Sequence, residues 1–131
     1  MPKWPTARLV VVGLLLSIML AFPFVAEAKR YRYDCAYPKY ATPDGLKNSD
    51  GFELEFAVDD ITGKAVMIGN NGVSDVDAHT GNLGVTFMER LNGGVIQTTI
   101  IANNGNSVHS RHTILTDQMV SSQYYGRCSI R

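Results

Sequence analysis

From residue 31 onward, apolar and polar residues alternate, and clusters of Asn, Asp and Gly interrupt them at intervals of roughly 8–12 residues. Alternation with a period of two is the signature of half-buried strands, and no segment holds a 3.6-residue period over the length a helix needs. Strands are expected at 31–37, 51–59, 64–69, 73–78, 83–91, 94–102, 106–115 and 119–128, with one long loop, "PKYATPDGLKNSD", at 38–50. Short strands joined by tight turns make an all-β, antiparallel meander of about eight strands. A meander of that size removes its exposed edges by closing into a small barrel, closed or nearly closed. An open, strongly curved sheet is the alternative.

The turns predict the register, because directly opposed residues share a face. A two-residue turn at Asn92–Gly93 sets Phe87 against Thr98 and Glu89 against Ile96. A three-residue turn ending at Gly105 sets Thr98 against Ser110 and Ile96 against His112. Turns at 61–63, 70–72 and 79–82 extend the pattern to Val58, Val66, Val76 and Val85. The predicted inner face is Phe52, Leu54, Phe56, Val58, Val66, Ile68, Val76, Val85, Phe87, Ile96, Ile100, Val108 and Ile114. Glu53, Glu55, Asp59, Asp75, Asp77, Gln97 and Arg111 fall outside.

Residues 1–28 read as a cleaved signal peptide. Lys3 and Arg8 precede the apolar run 9–25, Pro23 breaks it, and "AEA" at 26–28 offers small residues to a peptidase. An uncleaved anchor is the competing reading; after cleavage no stable membrane insertion is expected. The remainder, 29–131, suits a single β-barrel domain in a periplasmic or secreted protein. In an oxidising compartment Cys35 and Cys128, the two cysteines of the chain, are expected to form one disulfide joining the first and last strands. It closes a loop of about 90 residues and is worth on the order of 4–5 kcal/mol.

The stretch most like chemistry is "SVHSRHT" at 107–113. In a strand its two histidines point to opposite faces, so they cannot chelate one metal. No metal and no cofactor is expected. The predicted register instead gathers Glu89, Thr98, Ser110 and His112 at one end of the interior. That end is either a hydrogen-bonded rim or a ligand pocket in the barrel mouth. A small hydrolase would need a nucleophile and base in contact, whereas neighbours along one face stand about 7 Å apart, and no catalytic residue is assigned.

Formal charges balance, but the signs are segregated. Acids concentrate between residues 40 and 89, with Glu53, Glu55, Asp59 and Asp77 on the predicted outer face; Lys and Arg cluster towards both ends of 29–131. All six tyrosines flank the cysteines in sequence, so Tyr33 and Tyr124 are candidates either for a protein-binding surface or for filling the core. The balanced charge argues against nucleic acid as a partner.

The opening "YRYDC" (31–35) and the closing "YYGRC" (124–128), with the meander between them, resemble the periplasmic c-type lysozyme inhibitor family. That resemblance implies an eight-stranded, lipocalin-like or lysozyme-inhibitor-like barrel, often with a disulfide between its first and last strands. The family's Ser-Gly-x-x-Tyr inhibitory loop has no counterpart, so no functional residue carries over. "GFELEFAVDDITGKA" and "GGVIQTTI" resemble a family of small exported bacterial β proteins, which implies no activity. The expectation is an exported, non-enzymatic binding protein for an unknown protein or a small apolar molecule. The alternative is an inhibitor of a secreted cationic enzyme such as c-type lysozyme.

Overall fold

A computed structural model describes residues 1–3, 23 and 29–131. The predicted signal peptide, apart from residues 1–3 and 23, lies outside the described residues. Eight strands follow in chain order: β1 (Arg30–Thr42), β2 (Gly45–Asp59), β3 (Ala65–Gly69), β4 (Gly72–Thr80), β5 (Gly84–Arg90), β6 (Ile96–Ala102), β7 (Asn106–Leu115) and β8 (Gln118–Ile130). Each pairs antiparallel with the next, and β8 pairs with β1, so the barrel is closed. The predicted loop 38–50 is instead a continuation of the β1–β2 hairpin, broken only by a register shift between Tyr37 and Lys39. Pro38, which lacks a backbone N–H, sits at that irregularity, where no ladder bond is needed.

Cys35 and Cys128 are direct cross-strand partners with Cα atoms 4.0 Å apart, and their disulfide joins β1 to β8. Around them the interior is packed with aromatic and aliphatic groups. Phe56 and Phe87 stack at 4.3 Å, Tyr33 meets the edge of Phe87 at 5.7 Å, and Leu54, Ala65, Val76, Val85 and Ile101 complete the buried core. Next to the disulfide, Gly126 passes so close to β1 that a side chain there would fall on the carbonyl oxygen of Ala36.

The register departs from expectation at four turns. At the β4–β5 turn Val85 lies opposite Thr80 instead of Val76, a shift of four residues that, being even, leaves each side chain on its predicted face. Between β5 and β6 the loop holds three residues, Asn92–Gly94, closed by Leu91 N–H donating to Val95 C=O at 2.8 Å. Gly93 and Gly94 both have positive φ (98° and 85°), which two consecutive glycines allow without strain. Arg90 therefore faces Ile96, and Glu89 faces Gln97. The turn from β6 to β7 is as predicted, with Ile100 opposite Val108 and Thr98 opposite Ser110. One extra residue at the first turn thus turns over two strands together. Ile96, Ile100, Val108 and Ile114 lie on the outer face, while Thr99, Ile101, Ser107 and His109 are buried inside.

Strand β3 is also turned over. The β2–β3 turn is one residue longer than expected because the Asp59 carboxylate accepts from the N–H groups of Ile61 and Thr62 and organises the loop. The β3–β4 turn is a tight Asn70–Asn71 pair between Gly69 and Gly72. Ala65 and Met67 face inward in place of Val66 and Ile68. The two slips cancel beyond β3, so Val76 and Val85 are buried as predicted.

Candidate functional site

Strand tilt brings three inward-facing polar residues into one row. Glu89 on β5 is opposite Gln97 on β6, and Gln97 is opposite Arg111 on β7. The row borders a cavity of about 430 Å³ at one end of the barrel, walled by Phe52, Leu54, Met67, Leu91 and His109. A volume of that size falls in the range of small-molecule sites, which occur at barrel mouths.

Glu89 is 8% exposed, and among the described residues its side chain makes no hydrogen bond or ion pair. With no protein donor beside it, the carboxylate keeps its contact with solvent only through the cavity. Arg111, exposed at the rim of the same cavity, is likewise without an ion-pair partner there.

His109 forms the inner wall. It is 1% exposed, and its Nδ1 lies 2.7 Å from the Thr99 hydroxyl. Burial, assisted by the nearby Arg111 charge, pushes its pKa down from the ordinary 6.5 to about 4, so the ring is neutral near pH 7. Phe52 and Tyr124 pack against it at 5.6 and 5.9 Å. Behind this wall the Tyr37 hydroxyl bonds Ser107 Oγ at 2.9 Å, and Ser107 donates onward to Ile100 C=O at 2.9 Å. Burial outweighs that bond and raises the Tyr37 phenol to about 12.

Of the predicted pocket residues, Glu89 faces the interior; Thr98, Ser110 and His112 do not. Thr98 and Ser110 pair on the outer face. His112 is exposed beside Ala41, Thr42 and Gln123 on the outer wall. This corrects the expected cluster, and the cause is the extra residue in the β5–β6 loop. Arg111 and Gln97, placed outside by the sequence, and His109 are the residues it missed. The one available signal was "LNGGV", in which the second glycine permits the longer loop as readily as the shorter one.

The predicted protein-binding candidates divide as well. Tyr33 and Tyr124 point inward, Tyr33 onto Phe87 and Tyr124 onto Phe52 and the Tyr40 ring, so both fill the core. On the outer face Glu55 pairs with Arg32, Arg131 bonds Asp34, and Asp77 lies 3.4 Å from Arg90. Asp59 is engaged by its own turn, whose Thr62 and Ile61 N–H groups hold its carboxyl below the usual range. Glu53 borders a broad outer concavity of about 760 Å³ across β1, β2 and β8, where Asp34, Glu55 and Arg127 already have protein partners.

No family model and no curated protein matches the sequence. Among solved structures, the chain is similar to part of the isotype 1 transferrin binding protein B from serogroup B Neisseria meningitidis. The TM-score is 0.40 at 11% identity, covering 82% of this chain and 27% of that one. A likeness at this level says nothing of ligand or partner.

Proposed function

We propose that this is an exported, non-enzymatic binding protein that holds a small molecule in the polar mouth of its barrel. The observation that carries the reading is Glu89, a buried carboxyl group without a protein partner at the wall of a cavity of about 430 Å³. Its acceptor oxygens face the cavity with no protein donor, so an occupant that donates to them replaces only solvent. The disulfide supports an extracytoplasmic location, because such bonds persist in oxidising compartments. Catalysis has less support: the hydroxyl bonded to His109, that of Thr99, is buried, and Tyr37 and Ser107 engage each other. Inhibition of a cationic enzyme through the acidic face also has less support, since Glu55 and Asp77 are already paired with arginines.

The test is native mass spectrometry of protein purified from its own compartment without denaturation. A small-molecule adduct is expected, released on unfolding and absent from Gln97→Trp, which fills the mouth. No adduct, together with no stabilisation of the wild type by any member of a metabolite library, would overturn the reading.

A further inference from the structure

The order of chemical groups across the barrel mouth narrows the ligand class, given that the cavity is a binding site. Acid, carboxamide and guanidinium stand on three consecutive strands as Glu89, Gln97 and Arg111, each directly opposite the next. Adjacent strands are about 4.8 Å apart, so Glu89 and Arg111 are separated by about 10 Å at the backbone. Neither charged group is paired with the other or with any other described residue. The row is therefore a fixed dipole, negative at the buried end and positive at the rim.

A lone cation would satisfy Glu89 but be repelled by Arg111, and a lone anion would suffer the reverse. A molecule carrying both charges in the opposite order satisfies both. Gln97 between them offers one acceptor and two donor hydrogens, the complement of a peptide group. Phe52, Leu54, Met67 and Leu91 give the wall an apolar side, and the β3–β4 turn and Ser74 border it with uncharged polar groups. His109, neutral and with Nδ1 committed to Thr99, adds no competing charge.

We propose that the mouth takes a short, free, zwitterionic peptide of about two residues with apolar side chains, a length set by the roughly 3.3–3.6 Å that each residue spans. Its ammonium lies on Glu89, its peptide group on Gln97 and its terminal carboxylate on Arg111. Apolar side chains pack on Phe52, Leu54 and Met67.

Four matched probes test this by thermal shift and calorimetry: Leu-Leu, its N-acetyl derivative, its C-terminal amide, and leucine alone. Leu-Leu is expected to raise the melting temperature by several degrees at saturation and to bind at least tenfold tighter than either blocked form. Glu89→Gln should erase the preference over the acetylated peptide, and Arg111→Gln the preference over the amide. Each variant's own melt without ligand establishes that it folds. A blocked peptide binding as well as Leu-Leu, or leucine binding better, overturns the zwitterionic dipeptide while leaving the cavity a binding site. No binding by any probe also overturns the dipeptide, and the adduct measurement under Proposed function then decides the cavity separately.

Discussion

The two ends of the barrel interior are built on the same strands but solve opposite problems. Around the disulfide, Phe56, Phe87, Val85 and Ile101 are almost fully buried, and the cavity of about 330 Å³ that opens there against Tyr33, Val85, Ile101 and Cys128 meets no charged side chain. At the other end the same strands β5, β6 and β7 turn Glu89, Gln97, His109 and Arg111 towards a cavity. Close packing gives the first end its stability. The second end turns charged and amide side chains, Glu89 without a protein partner among them, towards a cavity, a departure from core patterning that natural proteins accept mainly at functional sites. That contrast between an end whose inward side chains are apolar and one whose inward side chains carry charge is the reason to look for a ligand at the mouth.

The contrast is broken most directly in the packed end. Phe56, fully buried and stacked on Phe87, should lose about 3–5 kcal/mol on truncation to Ala, measured by urea denaturation. A loss below about 1 kcal/mol would mean that the core is not tightly packed there.

The wall between the two ends is sharpened by pH. The folded protein protonates His109 only near pH 4, whereas the unfolded chain does so near 6.5. Between those values the unfolded state binds the extra proton, so stability falls as pH drops through the window and this contribution levels off below it. The loss is on the order of 3 kcal/mol. Denaturation midpoints of wild type and His109→Gln, compared at pH 7.5 and 4, isolate it from the carboxylates, and an equal pH dependence in both proteins would show that His109 is not held neutral.

At the mouth the expected effect is small. Glu89→Gln replaces a carboxylate that has no protein partner by a group of the same shape and should change the stability of the ligand-free protein by no more than about 1 kcal/mol. A loss of more than about 1 kcal/mol would mean that Glu89 has a stabilising protein partner. The smallest effect is expected at His112 on the outer wall, where substitution by Ala should stay within about 0.5 kcal/mol.

How far the site was legible depends on particular turns. The "NNG" before β7 forms the three-residue turn expected of it, whereas the same "NNG" before β4 closes in two residues, so the motif alone leaves the loop length open. The "NGG" before β6 admits two lengths, and the residues of β6 and β7 could not choose between them. Strand β6 places Ile96 and Ile100 on one face and Ile101 with Thr99 on the other. Strand β7 carries a histidine on each face, His109 and His112, flanked by Ser107 and Ser110. Where both faces have similar polarity, a one-residue slip has no hydrophobic penalty to oppose it. Strands β2 and β5 were read correctly because Phe52, Leu54 and Phe56 alternate with Glu53 and Glu55, and Val85 and Phe87 alternate with Thr86 and Met88.

The sequence by itself determined the all-β meander, the antiparallel order of its strands and the disulfide between its ends, because alternation, turn residues and paired cysteines act locally or through one covalent bond. Only the tertiary structure decided which face of β3, β6 and β7 turns inward, and with it the identity of the polar mouth. Closure is the physical reason: β7 must pair with β6 on one side and β8 on the other, and β8 is tied through Cys128 to Cys35. That ring of constraints fixes His109 against Tyr124 and Phe52 inside the barrel, a choice that no single turn could make.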